Sequence, residues 1–225
     1  MKNNKRDFKD AIYEQHARIG KAISAPKRIE LLDLLMQGER TVESLAKEAG
    51  ISVANASQHL QVLRAASLVA GKKEGLFVTY RIADKGVSCF VRNLQMLAKN
   101  QIAEVNEITR HFLAGHEGLE AIDKKVLLER VKSGTAIVLD VRPIEEYRYS
   151  HISGAISIPL AQLEARIAEL PKNQEIVAYC RGPYCMLAVQ AVEMLHAKGF
   201  QAIRLEDSVA DWEAEGLPIA MGKNS

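Results

Sequence analysis

Apolar residues in the N-terminal part of the chain recur every three to four positions, which is the spacing of amphipathic helices. This pattern predicts a first helix between Phe8 and Ile23. Pro26 suits the first turn of a second helix, and Gly38 suits its end. The chain therefore begins with a predicted helical region.

Two further short helices follow at close spacing. Thr41 is a typical N-cap for a helix that stops at Gly50, and Ser52 is a typical N-cap for the next one. The apolar positions of that next helix predict the face that it buries: Val53, Ala56, Leu60 and Leu63. Two short helices separated by a tight turn predict a helix-turn-helix.

Residues 68–70 and 77–82 have the β-branched and aromatic character of strands. They flank residues 71–75, Gly-Lys-Lys-Glu-Gly, which predict the turn of a β-hairpin with a basic tip. A hairpin after a helix-turn-helix is the arrangement of a wing.

The next segment predicts one long helix from Asp84 to about Leu113. Its apolar stripe consists of Val87, Phe90, Val91, Leu94, Leu97, Ala98, Ile102, Val105 and Ile108. Because so small a domain cannot bury so long a stripe, we expect a homodimer to which the first helix also contributes. Two glycines in residues 114–118 predict a short linker.

In the second half, the apolar run 175–179 predicts a buried strand, and the residues after 186 return to helical spacing. Cys180 stands at the turn between them, where backbone N–H groups and the helix dipole favour an anion. We therefore expect the Cys180 pKa to lie below the ~8.5 of a free cysteine. The alternative is a buried, inert cysteine, but Gly182 and Pro183 shape a loop that packing alone does not require.

Composition narrows the class of protein. The chain has 225 residues, of which 48% are hydrophobic, which suits two small globular domains. Three cysteines and an N-terminus without an apolar core favour a cytoplasmic protein, and no apolar run predicts a membrane span. Up to residue 114 there are 18 Lys and Arg against 12 Asp and Glu, and beyond it 12 against 16. This asymmetry suggests that only the first half meets nucleic acid.

From about residue 118 to 220 the chain resembles the rhodanese family of sulfurtransferases. The matching motifs, in the family's order, are Leu139-Asp-Val-Arg142, Glu145-Glu-Tyr147, His151-Ile-Ser-Gly-Ala155, Ile158-Pro159, the loop 180–186, Trp212 and Gly216-Leu-Pro218. Ser150 and Ser208 stand where the family commonly has glycine. The resemblance implies an α/β domain with a mostly parallel sheet.

That resemblance also implies a persulfide intermediate on Cys180, formed from a sulfur donor such as thiosulfate or polysulfide. Arg181 and Arg142 are candidates to hold an anionic donor, and Asp140 to order the site by hydrogen bonds. Cys185, five residues after Cys180, either resolves the persulfide to a disulfide or packs at the helix start; both readings stay open.

Phosphatases of the same architecture use Cys-x5-Arg to clamp a phosphate. Here the sixth residue after Cys180 is Met186, and Tyr179 stands where those enzymes have histidine. Phosphatase chemistry is therefore not expected.

Residues 20–85 resemble the ArsR family of winged-helix regulators, and the closest match is the recognition helix, 52–63. The resemblance implies a dimer on an inverted repeat in double-stranded DNA. Amide side chains on an exposed helix face can read adenine edges in the major groove, while basic wing residues contact phosphates. The candidate DNA-binding residues are Asn55, Ser57, Gln58, His59, Gln61, Lys72, Lys73 and Arg81. For His59 a structural role is an equal alternative.

Metal sensing and other cofactors are not expected. Residues 41–46 lack the cysteines of metal-sensing relatives. Glu104, Glu107 and His111 share a helix face, but such a set is more often a solvated surface than a metal site. Cys89 lies in the predicted dimer stripe, which favours a packing role.

The sequence thus predicts a winged helix-turn-helix domain at residues 1–114 and a rhodanese domain at 115–225. The leading hypothesis is a DNA-binding regulator that reads or moves sulfane sulfur. One alternative is a sulfurtransferase with an accessory DNA-binding domain. Another is a catalytically silent rhodanese module, against which the intact loop argues.

Overall fold

The computed structural model describes residues 3–75, 77–113 and 121–222. The chain folds into two compact units, Met1–Leu94 and Gln95–Ser225. The predicted linker lies outside the described residues, so the boundary at residue 114 stays a prediction.

The first unit contains the predicted helices at the predicted places. In chain order its elements are α1 Asn3–Ile23, α2 Pro26–Met36, β1 Arg40–Thr41, α3 Val42–Glu48, α4 Val53–Ala65, β2 Val69–Glu74 and β3 Phe77–Ile82, followed by the start of α5 Lys85–Gln101. The Thr41 hydroxyl accepts a hydrogen bond from the Ser44 N–H, and the Ser52 hydroxyl accepts one from the Asn55 N–H. Both predicted N-caps are therefore confirmed.

The hairpin is confirmed, although its turn is shorter than predicted. The antiparallel pairing of β2 and β3 continues as far as Glu74 opposite Phe77, so Lys72 and Lys73 lie on a strand and not in the turn. Gly75 has φ +62°, a left-handed conformation that glycine adopts without strain. The short strand β1, which the sequence pattern did not predict, pairs with β3 and makes a three-stranded sheet among the described residues.

The helix-turn-helix is held by one apolar core. Its fully buried members are side chains that helical spacing points inward: Leu31, Leu32, Leu45, Ala56, Leu60 and Leu63. The prediction that Val53 is buried with them is wrong, because this residue at the first position of α4 is 47% exposed. The recognition helix α4 is therefore fixed on its inner face, which leaves its outer face available.

The predicted long helix is interrupted. The structure has α5 as far as Gln101 and a separate helix, α6 Ala103–Leu113, with Ile102 between them. The side-chain amide of Asn106 donates to the carbonyl of Lys99 at 2.7 Å. An asparagine that competes for a backbone carbonyl in this way offers the chain an alternative to the helical ladder.

The second unit continues with alternating strands and helices. These are β4 Ala121–Ile122, α7 Lys124–Lys132, β5 Ala136–Asp140, α8 Ile144–Tyr149, β6 His151–Ile152, β7 Ile156–Ser157, α9 Leu160–Arg166, a 3-10 turn at Ile167–Glu169, β8 Glu175–Tyr179, α10 Met186–Ala197, β9 Ala202–Leu205, α11 Val209–Ala214 and β10 Ile219–Ala220. Within the described ranges, five strands form a parallel sheet in the order β4-β9-β8-β5-β7. The predicted α/β fold with a parallel sheet is confirmed.

Successive side chains of β8 enter different halves of the core. Ile176 and Ala178 pack on the side of α9 and α10, whereas Val177 and Tyr179 pack with Trp212 on the other side. Because both faces are buried, the strand reads as a continuous apolar run. Among the described helices, none combines the length and apolar character needed to span a membrane.

Candidate functional site

The loop that begins with Cys180 lies at the carboxyl end of β8, where ligands bind in open parallel sheets. It ends at Cys185, the residue directly before α10. Gly182 has φ +125°, a backbone conformation that residues with a side chain rarely adopt. The loop conformation therefore needs glycine at this position.

Both loop cysteines receive backbone hydrogen bonds. The N–H groups of Arg181 and Ala188 contact the Cys180 sulfur, and those of Arg181 and Leu187 contact the Cys185 sulfur. The Cys180 thiol donates a hydrogen bond to the Cys185 carbonyl oxygen at 3.4 Å, and a second contact, from thiol to thiol, acts on the pKa of both residues. The predicted backbone N–H groups are thus present, but they are directed at the sulfur atoms of both cysteines and not at Cys180 alone.

The expectation of a lowered Cys180 pKa is wrong. Cys180 is only 1% exposed, and burial raises its pKa well above the ordinary value, an effect to which the hydrogen bond with Cys185 adds. The same hydrogen bond lowers the pKa of Cys185 to about 7, and the Arg181 guanidinium acts in the same direction. Deprotonation of the pair therefore begins at Cys185, the partly exposed thiol.

Asp140 organises a buried polar network at the end of β5. Its carboxylate accepts hydrogen bonds from the backbone N–H and the guanidinium of Arg142, at 2.6 to 3.2 Å. It also accepts one from the Tyr179 hydroxyl, which in turn accepts from the N–H of Ile152. Burial and the Asp140 charge raise the pKa of Tyr179, which keeps this phenol a hydrogen-bond donor. This ordering role agrees with the one expected for Asp140.

Both arginines are paired with carboxylates in the structure, and a role for either in holding an anionic donor stays a prediction. Arg142 is fully buried, and besides Asp140 it donates to the carbonyl of Ser150 at 2.8 Å. Arg181 is turned toward α8, where both carboxylate oxygens of Glu146 accept from it at 2.6 to 3.1 Å. Each guanidinium already has a carboxylate partner, and buried ion pairs of this kind are costly to break.

His151 has a structural position. Its ring stacks on Tyr147 with centroids 3.7 Å apart, and its Nδ1 lies 2.7 Å from the Tyr147 carbonyl oxygen. This residue is fully buried, so its contacts are those of a structural residue.

Two residues near the loop were missed by sequence reasoning. Glu146 pairs with Arg181, and nothing in the sequence pattern predicted that contact across 35 positions. Arg204 interrupts the apolar strand β9 and is buried, with a guanidinium that donates to Glu206 and lies 3.5 Å from the Pro183 carbonyl. A charged residue inside a buried strand was the signal that could have identified it.

The candidate DNA-reading residues lie on α4 with graded exposure. Asn55, Gln58 and Gln61 are exposed, at a spacing of three that keeps them on one side of the helix. Ser57 and His59 are partly buried. The exposed amides are thus the strongest candidates for base contacts.

On the wing, Lys72 and Lys73 are exposed on β2. Arg81 is exposed as well, but its guanidinium donates to the Ile82 carbonyl at 3.1 Å and lies 3.9 Å from Glu39. All three basic side chains are exposed and remain candidates for phosphate contacts.

The two halves of the chain match two different known families. The family of bacterial regulatory proteins of the arsR type matches residues 25–70, which include the helix-turn-helix. The rhodanese-like domain family matches residues 123–215, which include the cysteine loop.

Individual relatives agree with this. The chain is 41% identical over 216 residues to the HTH-type transcriptional regulator Rv0324 of Mycobacterium tuberculosis, covering 96% of this chain and 95% of that protein. The second half is 29% identical over 100 residues to a sulfurtransferase of Allochromatium vinosum, covering 44% of this chain and 92% of that one. A winged helix-turn-helix domain of the Mycobacterium bovis protein Mb0332, described as homodimeric, is 39% identical with a TM-score of 0.40, covering 42% of this chain and 87% of that one.

The chain belongs to the arsR family of bacterial regulatory proteins and carries a C-terminal rhodanese-like domain. It is a transcriptional regulator of the helix-turn-helix class.

Proposed function

We propose that this regulator reads or moves sulfane sulfur through a persulfide on Cys180, and that the state of the loop alters its binding to DNA. The observation that carries the proposal is a cysteine at the carboxyl end of β8, with backbone N–H groups directed at its sulfur, in the same chain as a helix-turn-helix. Thiosulfate and polysulfide are the donor classes proposed. The similarity to a protein named as a sulfurtransferase supports this chemistry.

For the first unit we propose binding to an inverted repeat in double-stranded DNA through α4 and the wing. Large apolar side chains are exposed on α1, at Phe8 and Tyr13. Beyond the first unit they are exposed at Leu97 on α5, at Ile102 between the two helices, and at Ile108 within α6. Exposed apolar surface of this extent is typical of an interaction site. It supports a homodimer through the first helix and the helices that follow the wing.

A second candidate function is sulfur transfer as an enzymatic activity, with the helix-turn-helix only locating the protein on DNA. The same loop favours it, because a thiolate–thiol pair under backbone N–H groups suits nucleophilic chemistry. The two candidates differ in one measurable property, which is the coupling of sulfur loading to DNA affinity.

The decisive experiment measures operator affinity of the purified protein before and after exposure to polysulfide, together with the Cys180→Ser variant. A regulator of the proposed kind changes its affinity when Cys180 is loaded, and the variant does not respond. Loading at Cys180 without any change in affinity would leave the sulfurtransferase candidate and remove the sensor. Loading only at Cys89 would remove both.

A further inference from the structure

Cys180 and Cys185 occupy unequal positions in one short loop. Cys180 is 1% exposed and ends the buried strand, whereas Cys185 is partly exposed and stands at the N-cap of α10. The Cys180 thiol donates to the Cys185 carbonyl oxygen at 3.4 Å and interacts with the Cys185 thiol, so the loop holds the two cysteines side by side before any reaction. A small residue that merely fills space at a helix start does not need this contact.

We propose that Cys185 is the second reacting thiol of the loop, which attacks the Cys180 persulfide and closes a Cys180–Cys185 disulfide. This inference rests on the proposed function, because it requires sulfur to arrive on Cys180. It assigns Cys185 two successive tasks, first as proton acceptor and then as nucleophile.

In the first step Cys185 is the thiolate and Cys180 the thiol. The proton of Cys180 passes along their hydrogen bond to Cys185, while the Cys180 sulfur attacks the outer sulfur of the donor. The donor S–S bond breaks and its electron pair leaves with the shortened polysulfide, or with sulfite when thiosulfate is the donor. Cys180 then carries the persulfide and Cys185 a proton.

In the second step Cys185 releases that proton to water, which its pKa of about 7 permits at neutral pH. Its thiolate attacks the Cys180 Sγ, a bond forms between the two cysteine sulfurs, and the outer sulfur leaves as hydrosulfide with the bonding pair. The two cysteines are oxidised by two electrons, and the sulfane sulfur is reduced by two. The donor is therefore the oxidant, and an external thiol restores the loop.

The N–H groups support both steps. That of Arg181 is directed at both sulfur atoms, and those of Ala188 and Leu187 each at one, so negative charge is stabilised on whichever sulfur carries it. The nearby Arg181 guanidinium favours the anion on Cys185 in particular.

The test uses the full chain with Cys89→Ser, so that only the loop thiols remain, and compares it with the same chain carrying Cys185→Ser. Both are exposed to polysulfide, quenched in acid and weighed intact, and the released hydrosulfide is measured. We expect the first protein to lose two hydrogen atoms and to release about one hydrosulfide per chain in the resolving step. The Cys185→Ser protein lacks the proton acceptor of the first step, so it should gain one sulfur atom more slowly. It should then keep that sulfur until a thiol or cyanide is added.

A persulfide that persists on the protein with both loop cysteines overturns this inference and leaves the proposed function standing. If the protein with both loop cysteines shows neither a sulfur adduct on Cys180 nor a loop disulfide, the proposed function falls and this inference falls with it. Should Cys185→Ser fail to fold, the time course of the Cys89→Ser protein alone still decides. The inference requires the sulfur adduct to rise and then decay into the disulfide at the rate of hydrosulfide release.

Discussion

The hydroxyl of Tyr179 donates a hydrogen bond to the carboxylate of Asp140, and these two residues end neighbouring parallel strands in the same register. The contact joins the strand that precedes the cysteine loop to the strand that carries the Asp140–Arg142 ion pair. Tyr179, the residue directly before the loop, is thus held by its hydrogen bond to the neighbouring strand and by its packing in the core.

Tyr179→Phe should lower the free energy of unfolding by ~1–3 kcal/mol, because Asp140 loses a donor and the Ile152 N–H loses its acceptor inside the core. Tyr149→Phe, which removes the hydroxyl of a tyrosine that is 45% exposed, is the matched control and should change little. Denaturant unfolding of the two variants checks this. An equal loss of unfolding free energy in the two variants would mean that the buried hydrogen bonds contribute nothing to stability.

Asp140→Asn should destabilise the second unit by ~3–5 kcal/mol, because it leaves the fully buried Arg142 guanidinium without its counter-charge. Glu169→Gln removes a carboxylate from Arg166 in an exposed pair of similar geometry and is the control, expected to have little effect. Thermal unfolding distinguishes them. A mild effect of Asp140→Asn would argue against the role of this ion pair.

The reactivity of Cys185 should depend on pH around neutrality. Its hydrogen bond with Cys180 lowers its pKa to about 7, so the thiolate fraction and the rate of alkylation should rise through pH 7 and level off above it. Cys180, whose pKa is raised by burial, should react more slowly over this range. Peptide mapping after iodoacetamide treatment of the Cys89→Ser protein measures both sites.

The matched variants for this prediction are Cys180→Ser and Arg181→Gln. The first replaces the thiol that hydrogen-bonds to Cys185, and the second removes a nearby positive charge. Both should move the Cys185 profile to higher pH. Faster labelling of Cys180 than of Cys185 near pH 7 would contradict the order of deprotonation.

Replacing Gln58 or Asn55 with Ala should weaken operator binding by ~1–3 kcal/mol and relax sequence preference, because an exposed amide on α4 can pair with an adenine edge. Gln190→Ala, an exposed glutamine on α10 of the other unit, is the control. Fluorescence anisotropy with operator and scrambled DNA gives both affinities. Unchanged discrimination in both recognition-helix variants would refute the assignment of α4.

Replacing Lys72 or Lys73 with Ala should weaken binding to all DNA sequences about equally and reduce the salt dependence of the affinity, because a phosphate contact releases counterions. Lys125→Ala removes an exposed lysine from the second unit and should have a smaller effect. Titrations at several salt concentrations provide the slopes. A loss confined to one DNA sequence would instead indicate base reading by the wing.

The sequence alone determined the local elements of this protein and the order of its two units. Some of these elements depend only on residues close in sequence: the N-caps Thr41 and Ser52, and the strand formed by the apolar run before Cys180. The local sequence is therefore enough to predict them. The family motifs likewise identified the cysteine loop before any contact was known.

Only the tertiary structure decided the electrostatics of the site. Packing brings Glu146 to Arg181 across 35 positions, whereas Asp140 lies only two residues from Arg142 and the fold supplies the burial of that ion pair. The burial of Cys180 likewise overturned the expected lowering of its pKa, and the thiol whose pKa is lowered is Cys185. Desolvation and charge pairing depend on residues distant in the chain, and for this reason no local pattern around Cys180 could predict which thiol ionises first.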